Sequence, residues 1–280
     1  MRTLIRHSSL GTGAILVAAV LLIAAVSLAW TPYDPVAVVP ADRLAPPGAG
    51  HLLGTDDYGI DIVSRLMVGA RIAVQVGVVA VAIAALVGVP LGMLAGAGSA
   101  APGGAVAAVV VMRATDILYA FPAMLLAILF AAAFGGSTGT AMVAIGIANI
   151  PPFTRVARAA TVQVLVSDFV LAARGAGTGP GGIALRHVLP NISPVIGVQA
   201  SMAFGMAILS EAALSYLGLS TPLPTPTWGR MLNQAQAYIF SDPQLAVWPG
   251  LAIGLAVLGF NLLGDGLRDL LDPRLRESVR

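Results

Sequence analysis

Hydrophobic positions along the chain gather into six long runs separated by polar breaks. The first covers 12–30, with Arg2, Arg6 and His7 ahead of it. The second, 72–97, is the cleanest, Gln75 being its one strongly polar side chain. A third run covers 105–134 and is kinkable at Pro122, where the ring removes a backbone donor. The fourth starts near 140 and continues into and past Pro151-Pro152; the fifth, 192–217, follows Pro190; the sixth is 246–264. A membrane-spanning helix needs about 20 mostly apolar residues. The pattern therefore predicts an all-α integral membrane protein with six transmembrane helices.

The breaks differ in kind. Residues 31–70 carry Pro32, Pro35, Pro40, Pro46 and Pro47 together with five aspartates, the composition of an external loop. Gly98–Gly104 and Gly135–Gly139 read as tight turns, and 218–245 is rich in turn signals. Residues 155–190 form a long connection holding Arg155, Arg158, Arg174 and Arg186. Two parts are expected: 1–70, a transmembrane helix and external loop, and 71–280, a core domain with a cytoplasmic loop at about 155–190. Ser27-Leu28-Ala29 could pass for a signal-peptide cleavage site, but the apolar run before it is longer than a signal core, which favours a retained helix.

Charge sets the orientation. With the N-terminus in the cytoplasm, the inner face holds Arg2, Arg6, Arg155, Arg158, Arg174, Arg186, Arg268, Arg274, Arg276 and Arg280; the outer face holds Arg43, Arg65, Arg71 and Arg230. Basic residues favour the cytoplasmic side, so both termini are placed there. The bias depends on the fourth run crossing the membrane, since otherwise the 155–190 loop and its four arginines would move outside.

Composition then removes whole classes of chemistry. Hydrophobic residues make up 58% of the 280-residue chain and charged ones only 10%, against roughly 25% charged in soluble domains. Every one of the 15 basic residues is Arg, so there is no P-loop lysine, Schiff base or Ser–Lys pair. The absence of Cys excludes disulfides, thiolate catalysis and cysteine metal sites. His7, His51 and His187 stand far apart, without zinc-protease spacing. The arginines are dispersed instead of forming a stripe, which argues against nucleic acid. Gly135-Gly136-Ser137-Thr138-Gly139 fits a hydrolase GxSxG, but it sits between two membrane helices without the strand that exposes such a nucleophile.

Some polar groups fall inside the apolar runs. Arg113 and Asp116 are three apart and can pair on one helix face. Glu211 has no basic residue within a helical turn, and intramembrane acids are functional candidates, so it is the first candidate for a translocation pathway. Gly88, Gly92 and Gly96 recur every fourth residue, as do Gly250 and Gly254, a spacing that lets another helix approach closely.

The 155–190 loop carries the functional reading. Ser167 or Asp168 can cap a short helix from about Phe169 to Arg174, closed by the glycines and proline of 175–182. Ala172-Ala173, then Gly177, then Leu189-Pro190 resemble the EAA loop of binding-protein-dependent ABC importer permeases. The resemblance extends to His51-Leu52-Leu53-Gly54-Thr55-Asp56, to Met112-Arg113, Asp116 and Phe121-Pro122, and to the block Ile208–Leu219 with Pro226-Thr227-Trp228-Gly229. It looks like the second permease subunit of dipeptide, oligopeptide and nickel importers. Leu171 departs from the family pattern, which usually has Glu there.

The resemblance implies a type I ABC importer permease fold in the bacterial cytoplasmic membrane. It implies a second, similar permease, two cytoplasmic ATPases and an external substrate-binding protein as partners. It also implies no cofactor on this chain, ATP and Mg residing on the ATPases, and no catalytic role. Ala172, Ala173, Arg174 and Gly177 are then expected to dock the ATPase. Cargo remains open between di-/oligopeptides and nickel or another small solute; the spans contain no His of the kind nickel favours. A stand-alone channel or secondary transporter is the reading that would need no docking loop.

Overall fold

The computed structural model describes residues 2–100 and 104–271, with side chains described for 9–98 and 104–271. Arg274, Arg276 and Arg280, part of the 98–104 turn, and the side chains of Arg2, Arg6 and His7 lie outside these described residues. The chain is helical nearly throughout. Its helices are α1 (Arg2–Val26), α2 (Ile62–Ala100), α3 (Ala105–Ala120), α4 (Ala123–Phe134), α5 (Thr138–Ala148), α6 (Ile150–Leu165), α7 (Asp168–Gly175), α8 (Pro180–Ile183), α9 (Leu189–Tyr216), α10 (Trp228–Ala235) and α11 (Gln244–Leu271). Among the described residues, the β pairing is one isolated bridge, Thr55 to Asp61.

Among the described residues, four helices are long and apolar enough to cross a membrane, and two bent pairs bring the total to six when each pair is one span. Those pairs are Ala105–Ala120 with Ala123–Phe134, bent by 83°, and Thr138–Leu165 with Asp168–Gly175, bent by 68°.

Proline chemistry explains where the elements depart from expectation. The third run is not a kinked helix but two helices. Phe121 is extended, at φ −77° and ψ 125°, because the residue before a proline is pushed out of the helical region. Pro190 does the opposite of what its position suggests. It does not begin the fifth helix, which runs unbroken from Pro180 to Tyr216. Residues Ala184–Val188 widen into a π-helix, and Leu189 N–H donates to the Ala184 carbonyl, five residues back. That widening accommodates the proline ring and missing donor that a tight α-turn would not. The second span also starts early. Asp61 accepts from Ser64 N at 2.8 Å, an N-terminal cap that starts α2 at Ile62 inside the expected loop.

α2 is the central post. It contributes to three buried clusters, centred on Ile208, Trp228 and Phe260; on Phe153, Val170 and Ile192; and on Val76, Ile145 and Leu214. Its most extensive partner is α6, while α1 lies along α11. Gly88, Gly92 and Gly96 explain the first of these. A Cβ at Gly88 would stand 2.7 Å from the Phe153 Cβ, at Gly92 2.6 Å from Ala157, and at Gly96 2.8 Å from Thr161. Each is closer than two carbons can pack, so the helices meet backbone to backbone only because these positions lack side chains. Gly250 and Gly254 share the spacing but meet nothing within 4 Å.

Asp116 does not rely on Arg113 alone. Its Oδ1 accepts from Arg155 Nη2 at 2.8 Å, whereas Arg113 stands at 3.8 Å, and the Arg155 guanidinium lies 4.3 Å above the Tyr119 ring. The pair that joins α3 to α6 is thus 39 residues apart in sequence.

Candidate functional site

α7 and the turn after it form a separate knob at one end of the bundle. Ser167 occupies the N-cap position, but its hydroxyl turns back and donates to the Val164 carbonyl at 2.6 Å instead of capping α7. Asp168 stands in the first turn and Arg174 in the last, both favourable to the helix dipole. An eight-residue helix is not stable alone. Val170 supplies its anchor, fully buried in the cluster shared with Leu165, Ile183 and Val188.

The C-terminus of α7 is closed by a Schellman motif. Thr178 N donates to the Ala173 carbonyl at 3.0 Å and Gly177 N to the Arg174 carbonyl at 2.9 Å. The motif places Gly177 at φ +85°, a left-handed conformation that costs other L-residues about 1–2 kcal/mol. Nothing lies within 4 Å of a Cβ built there, so Gly is required for the backbone and not for space. Ala172, Arg174 and Gly177 are exposed and Ala173 half-exposed, so the four residues expected to dock a partner share one accessible knob.

Sequence reasoning missed the surroundings of that knob. Val166, Phe169, Leu171 and Leu185 are large apolar side chains exposed around α7, beyond the ends of the apolar runs. Leu171, at 52% exposure, takes the position where an acid was expected and extends this apolar ring. Phe169 also lies near the His187 ring, 6.2 Å between centroids.

Glu211 lies far from the knob, about 33 Å along α9 from Leu189 at 1.5 Å per residue. It is 1% exposed, enclosed by the chain's own helices, and its carboxylate accepts from the Ser220 hydroxyl at 3.5 Å. The structure therefore does not bring Glu211 together with Ala172, Ala173, Arg174 or Gly177. Instead, it joins Glu211 to a lock built from the Ile208–Leu219 and Pro226–Gly229 blocks. Thr227 accepts from Arg230 N at 3.2 Å to cap α10, and its hydroxyl pairs with that of buried Ser215. Gly229 lies against the Ala212 backbone, and Trp228 Nε1 donates to the Leu66 carbonyl at 3.0 Å with its ring against Gly69. The lock thereby reaches α2.

The 31–61 loop packs beside this lock. Asp56 pairs with Arg65, whose other nitrogen donates to Gln234 on α10. Asp61 receives His51 Nδ1 at 3.0 Å and the Ser64 hydroxyl at 2.8 Å. Next to them, partial burial and the neighbouring Asp56 push the Asp57 carboxyl above its ordinary value. Ser137, the serine of the GxSxG pattern, caps α5 by accepting from Thr140 N at 3.1 Å; it is a helix start.

Against known proteins, the profile of the family described as "Binding-protein-dependent transport system inner membrane component" matches residues 88–277. The dipeptide transport system permease protein DppC of Alkalihalophilus pseudofirmus is 42% identical over 265 residues, 94% of this chain and 85% of that protein. The glutathione transport system permease protein GsiD of Pectobacterium atrosepticum is 42% identical over 246 residues, 88% of this chain and 80% of that one. The di/tripeptide transport system permease protein DppC of Pseudomonas aeruginosa is 39% identical over 280 residues, 98% and 91% of the two chains. Among solved structures, an inward-facing form of the MetNI methionine ABC transporter superposes with a TM-score of 0.59 at 18% identity, covering 77% of this chain and 96% of that one. That likeness concerns the fold.

Proposed function

Because the chain belongs to the family of binding-protein-dependent transport system inner membrane components, we propose that it forms one half of the translocation path of an ATP-driven importer of short peptides. A second permease would complete the path, two ATPases would drive it from the cytoplasm, and an external binding protein would deliver cargo. Three relatives named for dipeptide, di/tripeptide and glutathione transport support short peptides over nickel as the cargo. In this reading both termini are cytoplasmic, residues 1–70 are a peripheral helix with its outer loop, and residues 71–280 are the permease core.

The observation that carries the proposal is the knob. A short helix with a fixed end, small exposed residues at Ala172 and Ala173, the Arg174 cation and a ring of exposed Phe169, Leu171, Val166 and Leu185 has the make-up of a docking surface. It is anchored through Val170 to the cluster that includes α6 and α9, so force on α7 is transmitted to two spans. Closure of the ATPases would move the knob as a rigid piece and rock those helices, switching access from outside to inside. Glu211 joins the pathway in this scheme only when the 218–221 turn separates from α9 and uncovers it. ATP hydrolysis takes place on the separate subunits, since this chain has no lysine for a P-loop.

Purification in mild detergent with the co-expressed neighbours tests the proposal. Recovery of an ATPase pair with the wild-type chain, and its loss when Leu171 and Phe169 are both changed to Asp, is the expected result. Equal recovery from both proteins would defeat it.

A further inference from the structure

A cavity of about 350 Å³ lies behind the knob, between α7 and the adjoining ends of α2, α6 and the α8–α9 helix. Its walls are mostly apolar, including Met93, Leu165, Ile183 and Val188. Three polar residues break them, Thr178 in the turn after α7 among them. Arg174, which has no ion-pair partner among the described residues, contributes at the α7 side. Thr161, only 1% exposed, lines the wall from α6, and its hydroxyl has no hydrogen-bond partner among the described residues. A threonine in a helix ordinarily satisfies its hydroxyl on the carbonyl four residues back. Thr154, about two turns earlier on the same face of α6, does so with Ile150 at 3.0 Å. A buried hydroxyl left unpaired costs about 1–3 kcal/mol, so a ligand or water that reaches it recovers that cost.

We propose that this cavity is a regulatory site for a single-tailed acidic amphiphile, a free fatty acid of medium chain length, entering from the cytoplasmic side of the membrane. The inference rests on the orientation and docking role assigned above. Its volume is at the small end of the range for ligand pockets, roughly 300–1,000 Å³, which suits one acyl chain and not the two of a phospholipid. The carboxylate pairs with the Arg174 guanidinium at the cavity's edge, and the acyl chain covers Met93, Leu165, Ile183 and Val188. The bound acid touches α2, α6, the helix leading into α9 and, through its carboxylate, α7 at once. It therefore fixes the knob against the spans and slows any cycle that requires the knob to move.

Binding is measured on the full chain alone, without ATPase, so that failure here is separable from failure of the importer reading. The chain in discs of phosphatidylcholine is photolabelled with a C12 fatty acid carrying a terminal diazirine, and labelled peptides are identified by mass spectrometry. Expected is concentrated labelling of 161–165 and 183–188 that laurate competes away and dodecanol does not. Ala184→Trp, which fills the cavity from a partly exposed position, removes that label, and Arg174→Ala lowers it at least tenfold while both proteins keep their melting behaviour. The proposal is overturned by labelling spread evenly over lipid-facing helices or by equal competition from dodecanol. Displacement by phosphatidylglycerol added to the discs, or label that persists in Ala184→Trp, overturns it as well.

Discussion

Replacement of Gly177 by Val isolates the geometry of the knob. The substitution meets open space, so packing contributes nothing to its effect. The backbone does. Holding a β-branched residue at φ +85° costs about 1–2 kcal/mol, and relaxing away from it opens the two bonds of the Schellman motif, each contributing about 0.5–1.5 kcal/mol. Against this, α7 is held by one buried valine, which stabilises it by about 1.5–3 kcal/mol. Cost and anchor are comparable, so the knob spends much of its time unlatched, while the spans keep the remaining members of the shared cluster, Phe153, Ala157 and Ile192 among them. Since each 1.4 kcal/mol is about a factor of ten in population, the affinity for a docked partner falls roughly tenfold or more. Co-purification of the ATPases and ATP-driven peptide uptake read the loss, and the amount of chain inserted in the membrane serves as control. Gly177→Asn, whose residue type tolerates the left-handed region, keeps most of the function. Gly175→Ala, at an equally open position with ordinary helical φ, keeps all of it. If Val at 177 transports as well as Asn at 177, or if Ala at 175 is as damaging, the backbone argument is wrong.

Other substitutions probe the bundle. Gly92→Leu overfills the α2–α6 contact and lowers the melting temperature in detergent, by an amount matching about 1–3 kcal/mol, whereas Gly254→Leu leaves it unchanged. Arg65→Met leaves buried Asp56 uncompensated and destabilises by about 3–5 kcal/mol; adding Asp56→Asn recovers a large part, as thermal unfolding of the single and double variants will show. Asp57 has a carboxyl raised above its ordinary value of 3.8, so the folded state holds its proton more tightly than the unfolded one and its contribution is lost as pH rises. Asp57→Asn consequently raises the melting temperature at neutral pH, and the gain shrinks as pH falls toward 3.8; a gain that grows on acidification contradicts the sign.

Much of this architecture is legible in the sequence because lipid imposes a length on every crossing. The runs at 12–30, 72–97 and 246–264 needed no tertiary information; the last two fall within a helix, and the first overruns α1, which ends at Val26. What escaped depends on contacts. A proline in an apolar run can break a helix, as Pro122 does, or be absorbed by a π-turn, as Pro190 is, and the local sequence does not distinguish the outcomes. Glycines four apart mark a possible contact without saying whether another helix covers it; the 88–96 stripe is covered by α6 and the 250–254 pair by nothing among the described residues. Asp116 could be matched to Arg113 by spacing, but Arg155 is brought in by folding. In the site, Gly177 was picked out by its motif, and the structure adds its left-handed φ of +85°, while the apolar ring of Val166, Phe169, Leu171 and Leu185 became visible only as exposure.

The chain contains no cysteine, so Ala172→Cys introduces a single thiol on the knob without a background to remove. Labelling that thiol with a membrane-impermeant maleimide, first in intact cells and then in inverted vesicles, asks directly whether α7 is a cytoplasmic handle for an external motor. The account predicts silence in intact cells, rapid labelling in inverted vesicles stripped of the ATPases, and protection when the ATPases are restored. Labelling of intact cells, or labelling in stripped vesicles that restored ATPases do not slow, would contradict it.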